Sequence, residues 1–250
     1  MYSGTTFTVI DTAISHVQSS AGFTGAAGTA VSSTNNPAII LQSGSTINYN
    51  DIAQPLTPRT DYKNLTISGT GAKTAAGTFN VAETFTRSGD ASLATTSPTY
   101  AASVATLAYV DNTNGRTYTA GLEWPIASGP TNLKVNLSGT GTRQVIMPAS
   151  FSRTIVGDTL TAGELSIGAN TLTINGGITT GTGTLTGSTT SNLTLGGAAG
   201  NLNFTPGADS LNDLTLSASS ATATLNSSLD VYGTIKLNDG GLNLAAKHLT

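Results

Sequence analysis

The sequence predicts an all-β chain folded as a parallel β-solenoid, or β-helix, built from short Thr-, Gly- and Asn-rich strands with inserted loops. Three observations carry that expectation. First, apolar residues come in doublets with one residue between them: Leu165-Ser-Ile167, Leu172-Thr-Ile174, Leu193-Thr-Leu195, Leu202-Asn-Phe204, Leu214-Thr-Leu216, Ile235-Lys-Leu237 and Leu242-Asn-Leu244. Alternation with period two marks a strand with one face inward, and the intervening Thr is β-branched and suits the outer face of a pleat. Second, neighbouring doublets often start about seven to nine residues apart, too close for a helix between them, with Gly-Gly, Asn-Gly and Ser-Gly steps as turns. Third, the chain repeats itself. A string of small immunoglobulin-like sandwiches would need strands of about five to six residues and turns every 8–12, and the doublets are shorter than that.

Along the chain, residues 1–36 form an unassigned N-terminal segment, irregular or β; only Asp11–Ser20 has any helix-like content, and its Ser and Thr weaken it. Residues 37–250 are the solenoid, in approximate units 37–99, 100–190 and 191–250, the last truncated. Each unit opens on a strand ending in an aromatic: Thr46–Tyr49, Thr106–Tyr109 and Asn201–Phe204. Each then reaches a second motif, Asn64-Leu-Thr-Ile-Ser-Gly-Thr-Gly-Ala-Lys73, its copy Asn132–Arg143, and the weaker Asp213-Leu-Thr-Leu-Ser-Ala-Ser. Downstream, Ile155–Thr173 matches Val231–Thr250, with Phe79–Thr86 a poorer equivalent. Strands this short cannot close a sandwich alone; stacked as coils, each bonds the coil above and below, and inward Leu, Ile and Val meet their counterparts. The final match breaks off inside a doublet, so the expectation is a piece of a longer protein.

Composition excludes several functions. Charged residues are 9% of the chain, against about a quarter in an ordinary domain. With three Glu and five Lys, coiled coils and bundles are not served. A net charge of −3 and a pI near 5.1 argue against phosphate neutralisation, hence against nucleic-acid partners. There is no Cys, so no disulfide, cluster or thiolate zinc site. His16 and His248 are isolated, and no run of 18 apolar residues exists. Met1–Ile10 has neither the basic nor the apolar region of a signal peptide.

The run Tyr100-Ala-Ala-Ser-Val-Ala-Thr-Leu-Ala-Tyr109, then Gly121-Leu-Glu-Trp-Pro125, then Gly129-Pro-Thr-Asn-Leu133 resembles the repeats of large secreted surface proteins of Bacteroidota. Ile155–Ile174, with its Gly-Asp-Thr-Leu-Thr-Ala-Gly-Glu-Leu rhythm, is similar to the same repeats. The resemblance spans about residues 40–250 and is best over 100–175. It implies a non-catalytic, extracellular stalk segment of a long cell-surface adhesin or filament, exported by type 9 secretion, in some relatives for gliding motility. Its implied partners are other segments of the same chain, neighbouring surface proteins, the secretion machinery or surface glycans, with no membrane insertion.

Candidate sites are few. The acids Asp11, Asp51, Asp61, Glu83, Asp90, Glu123, Asp158 and Asp209 read as scattered turn residues rather than the convergent pair that glycoside cleavage needs, so neither enzyme activity nor any catalytic residue is expected. Asn238-Asp239-Gly240-Gly241 is a lone turn, not a calcium-binding array; no metal or cofactor is expected. Asp11-Thr12-Ala13, Asp158-Thr159-Leu160 and Asp209-Ser210-Leu211 resemble the O-glycosylation motif of exported Bacteroidota proteins, which makes Thr12, Thr159 and Ser210 candidates. The longest connection, Tyr109 to Leu133, holds Arg116, Tyr118 and the lone Trp124. They form either a local plug over the solenoid edge or an aromatic contact surface for a neighbouring chain or glycan. Thr-x-Thr steps raise a second function, a carbohydrate- or ice-binding solenoid, which needs a flat, regular Thr or aromatic face.

Overall fold

The computed structural model describes residues 6–24, 28–31, 37–101, 105–149 and 152–250. Parts of the N-terminal segment (1–5, 25–27, 32–36) and 102–104 of the Tyr100–Tyr109 motif lie outside the described residues. Among the described residues, every regular element is a β-strand. The strands pair in parallel with the coil before and the coil after, so the fold is the expected β-solenoid. Among the described residues no helix is long and apolar enough to cross a membrane.

The chain divides into two compact units, residues 1–108 with 121–130, and 109–120 with 131–250. In the first, Thr46–Tyr49 pairs with Tyr62–Ile67, and that strand with Asn80–Arg87, so that Ile47, Leu65 and Phe85 stand in register. A second ladder joins Gln54–Leu56, Thr70–Ala75 and Asp90–Ala94, with Gln54, Lys73 and Leu93 in register. In the second unit Gln144–Ile146, Glu164–Ser166 and Thr184–Thr186 stack with Val145, Leu165 and Leu185 aligned. Thr171–Ile174, Asn192–Leu195, Asp213–Leu216 and Ile235–Leu237 stack with Leu172, Leu193, Leu214 and Ile235 aligned. A coil is therefore about 20 residues, at the short end of known solenoid repeats, and each longer unit read from the sequence holds several. The copies of the second motif do not keep one face: Asn132–Leu137 stacks on Gly157–Ala162, whereas Asp213–Leu216 belongs to the ladder of Asn192–Leu195. The motif marks a good strand and turn rather than a position in the coil.

The inward doublet residues form columns. Leu172, Leu193 and Leu214 share one, Ile174, Leu195 and Leu216 the next, and all six are fully buried. In the first unit the column of Ile47, Leu65 and Phe85 is buried likewise. Parallel strands this short gain little singly; burial of a Leu side chain contributes about 1.5–3 kcal/mol, and the column repeats that gain at every coil. Lys73, Tyr49 and Tyr62 are buried with their polar atoms hydrogen-bonded. The Lys73 ammonium donates to the carbonyls of Asp51, Ile52 (2.7 Å) and Thr70 (3.1 Å), and burial lowers its pKa. Tyr49 and Tyr62 share a hydroxyl–hydroxyl bond of 2.8 Å, with Tyr62 donating to Thr57 O. At Gly44, φ is +81° and an added Cβ would lie 2.0 Å from Asp11 Oδ1, so only glycine fits there. Its amide donates to the Glu83 carboxylate, which also accepts from Ser43 and Asn64.

Candidate functional site

The connection after Tyr109 is made of parts with different roles. Thr117–Thr119 is a strand that stacks on Gln144–Ile146, so this stretch is coil rather than an insertion leaving the stack. The residues that depart from the coil are Gly121–Pro130, which pack within the first unit. The reason lies in the core column: Ile67 is followed one coil later by Arg87, an inward cation. Arg87 Nη1 meets Glu123 Oε1 at 2.6 Å with both side chains largely buried, and Arg87 Nε donates to Ala91 O. Beside the pair, the Tyr100 hydroxyl donates to Glu123 O at 2.6 Å, and burial raises its pKa well above the usual value. Trp124 follows directly and is 1% exposed.

Arg116 and Tyr118 belong to the second unit and converge on Asp111. Tyr118 is 2% exposed, and its hydroxyl donates to Asp111 Oδ2 at 2.7 Å. Arg116 Nε lies 3.1 Å from the same oxygen, with its guanidinium carbon 5.6 Å from the Tyr118 ring centre. The other oxygen, Oδ1, accepts from Thr113 N, closing the turn. Tyr109 packs on Tyr118 with ring centres 5.5 Å apart. Of the two alternatives for this stretch, the burial of Tyr118 and Trp124, at 2% and 1% exposed, fits the local plug, each ring lying in the core of its own unit. Sequence reasoning singled out these residues but left plug and contact surface open, and gave none of their partners. The one available signal was the charge on Arg116, Asp111 and Glu123 beside the aromatics in a chain so poor in charge.

The reading of the acids as solvated turn residues also needs correction at two of them. Glu123 is buried as described. Asp158 lies inside the strand Gly157–Ala162, between Leu133 and Ile178 in the ladder. It is 2% exposed, and neither carboxylate oxygen has a hydrogen-bond partner of normal geometry. Burial pushes its pKa up to about 8, only partly offset by the Thr159 amide. Alternation decides this placement: Leu160 must face inward, and so must Asp158 two residues before it.

The glycosylation candidates sit in distinct settings. Thr12 is exposed in a turn with φ +59°. Thr159 projects from a strand whose neighbours in register are Lys134 and Thr179, and Ser210 starts a short strand beside Asp230. Among the described residues no three His, Cys, Asp or Glu gather to hold a metal.

One outer face is more regular than the sequence steps suggested. Thr154, Thr173, Thr194 and Thr215 stand in register on four successive strands of the second unit. Strands in a ladder lie about 4.8 Å apart, so this is a column of hydroxyls and methyls at that repeat. The column beside it is mixed, Thr171, Asn192, Asp213 and Thr234, and is bound to itself: Asn192 Nδ2 to Thr171 Oγ1 at 3.4 Å, and Thr234 N to Asp213 Oδ1 at 2.7 Å. Comparison of the chain with protein-family models, with curated proteins and with solved structures returns no match.

Proposed function

We propose that this chain is a non-catalytic structural segment, an extracellular stalk portion of a long bacterial surface adhesin or filament. The observation that supports the reading is the ladder itself: in each unit, parallel strands recur at a near-constant step and bond only the coils before and after. Such stacking gives length and stiffness with little investment in side-chain chemistry, which suits a spacer. The likeness of residues 100–175 to repeats of type 9-secreted surface proteins supports the location, and other segments of the same chain, neighbouring surface proteins or glycans are the partners it implies. Labelling of intact source cells with an antibody against this chain tests it. Surface signal that protease treatment removes is the expected result, and signal only after lysis overturns it.

The in-register threonine column favours a second reading, an ice- or carbohydrate-binding face. Thr173→Lys and Thr194→Lys separate the two. Wild-type protein that slows ice-crystal growth or is retained on a polysaccharide resin, with both variants inert yet folded, supports the binding face; no activity in wild type removes it.

A further inference from the structure

We propose that Asn175 is a site of spontaneous covalent modification, at which the Gly176 amide nitrogen closes on the Asn175 side chain and converts the residue to aspartate or isoaspartate. The step needs only water as co-reactant. A bond forms between Gly176 N and Asn175 Cγ as the Cγ–Nδ2 bond breaks, and the Gly176 amide proton leaves with Nδ2 as ammonia. Water then opens the imide ring: attack at Cγ gives aspartate, and attack at the main-chain carbonyl gives isoaspartate.

The chain has two Asn-Gly steps, Asn114-Gly115 and Asn175-Gly176, and a glycine after asparagine leaves the attacking nitrogen unhindered. Both asparagines are exposed, so access does not separate them. Hydrogen bonding does. Gly115 N donates to Thr140 O at 2.8 Å, and Asn114 Oδ1 accepts from Thr140 N at 2.8 Å. Both reacting groups of that step are therefore held on a single residue of the next coil. At the other step, among the described residues, neither the Asn175 side chain nor the Gly176 amide makes a hydrogen bond.

Close packing between coils explains why the reactive step is kept. A Cβ on Gly176 would lie 2.5 Å from Val156 O, so the larger residue that would hinder closure does not fit. Asn175 Oδ1 lies over the notch left by Gly196, where an added Cβ would come within 2.3 Å of it. The corner is also fixed at both ends. Asn175 N donates to Ile155 O at 2.9 Å, and the flanking strands Thr171–Ile174 and Ile178–Thr180 are paired in different ladders. Isoaspartate adds a methylene to the main chain of a corner whose length both ladders set, so conversion loosens that coil.

The test is incubation of the folded chain in mildly alkaline buffer, then proteolysis and mass spectrometry with fragmentation that separates isoaspartate from aspartate. The expected result is conversion at Asn175 at least about tenfold faster than at Asn114, the factor set by the hydrogen bonds that hold Asn114 and Gly115. In urea the two rates should converge. No conversion at Asn175, or conversion at Asn114 as fast in the folded chain, overturns the proposal; a difference of the same size in urea assigns the selectivity to local sequence and overturns the structural account. The thermal midpoint of wild type should fall as isoaspartate accumulates, while incubated Asn175→Gln keeps its own. A wild-type midpoint that stays constant, or a fall shared by Asn175→Gln, overturns the loosening of the coil.

Discussion

Asp158 is where solution pH reaches the interior. The folded chain holds a proton there up to about pH 8, whereas the unfolded chain releases it near pH 4. The native state therefore binds the extra proton across that window, so this group's contribution to stability falls as pH rises from about 4 to about 8 and continues to weaken little beyond the point where both states are ionised. Asp158→Asn should flatten the decline and raise the denaturation midpoint at pH 8 relative to wild type; equal midpoint differences at pH 5 and pH 8 would show that Asp158 is ionised in the folded state. The ladder makes a second prediction at this scale. Leu172→Ala should cost about 2–5 kcal/mol, and Thr171→Ala, one residue away on the outer face, about 0.5 kcal/mol or less. A comparable loss at both, in urea unfolding, would reverse the in–out assignment. That assignment was legible in the sequence, because period two leaves each strand only two faces. The burial of Asp158 follows from the same alternation, but the turn propensity of Asp masked it.

At the scale of elements, the segment Gly121–Pro130 acts as a cover held by the Arg87–Glu123 ion pair, the bond from the Tyr100 hydroxyl to Glu123 O and the burial of Trp124. Arg87 enters a core column, and Glu123 brings the opposite charge to it there. Removing one partner of a buried pair typically costs about 3–5 kcal/mol, because the other charge is left unpaired. Glu123→Ala should therefore destabilise the chain by that order, and Trp124→Ala by about 3–5 kcal/mol, both read as a fall in thermal midpoint; an unchanged midpoint in either would place the segment outside the core. The sequence marked this stretch as long and unusual, yet the pairing of Arg87 with Glu123 follows no local period. Strand doublets announce themselves within a few residues, whereas these two side chains meet only once the coil has wound. The repeat length was obscured for a related reason. Similar motifs stand on different ladders, so matching them spans several coils at once, and the length of a single coil emerges only from strand pairing.

At the scale of the whole molecule, stability should be graded rather than uniform. Each coil is held by its neighbours, and among the described residues Ile235–Leu237 pairs with Asp213–Leu216 alone, whereas Asn192–Leu195 pairs on both sides. In hydrogen exchange on this 250-residue chain, amides of Ile235–Leu237 should lose protection well before those of Asn192–Leu195; equal protection would contradict the grading. Far-ultraviolet circular dichroism should show β-structure with negligible helix, and a helical share above about a fifth would contradict the fold. The all-β class was readable from composition and doublets together, since few residues here favour a helix. The division into two compact units was not, because no composition shift marks it and Gly121–Pro130 returns to the first unit only in the folded chain. The near-constant step between coils of the second unit has a genetic consequence. In-frame duplication of a segment one coil long adds a coil whose two sides already fit their neighbours, and its loss lets those neighbours meet. Slippage during replication can thus lengthen or shorten the gene while the encoded protein still folds, so natural variants should differ by whole coils more readily than by a few residues within a strand.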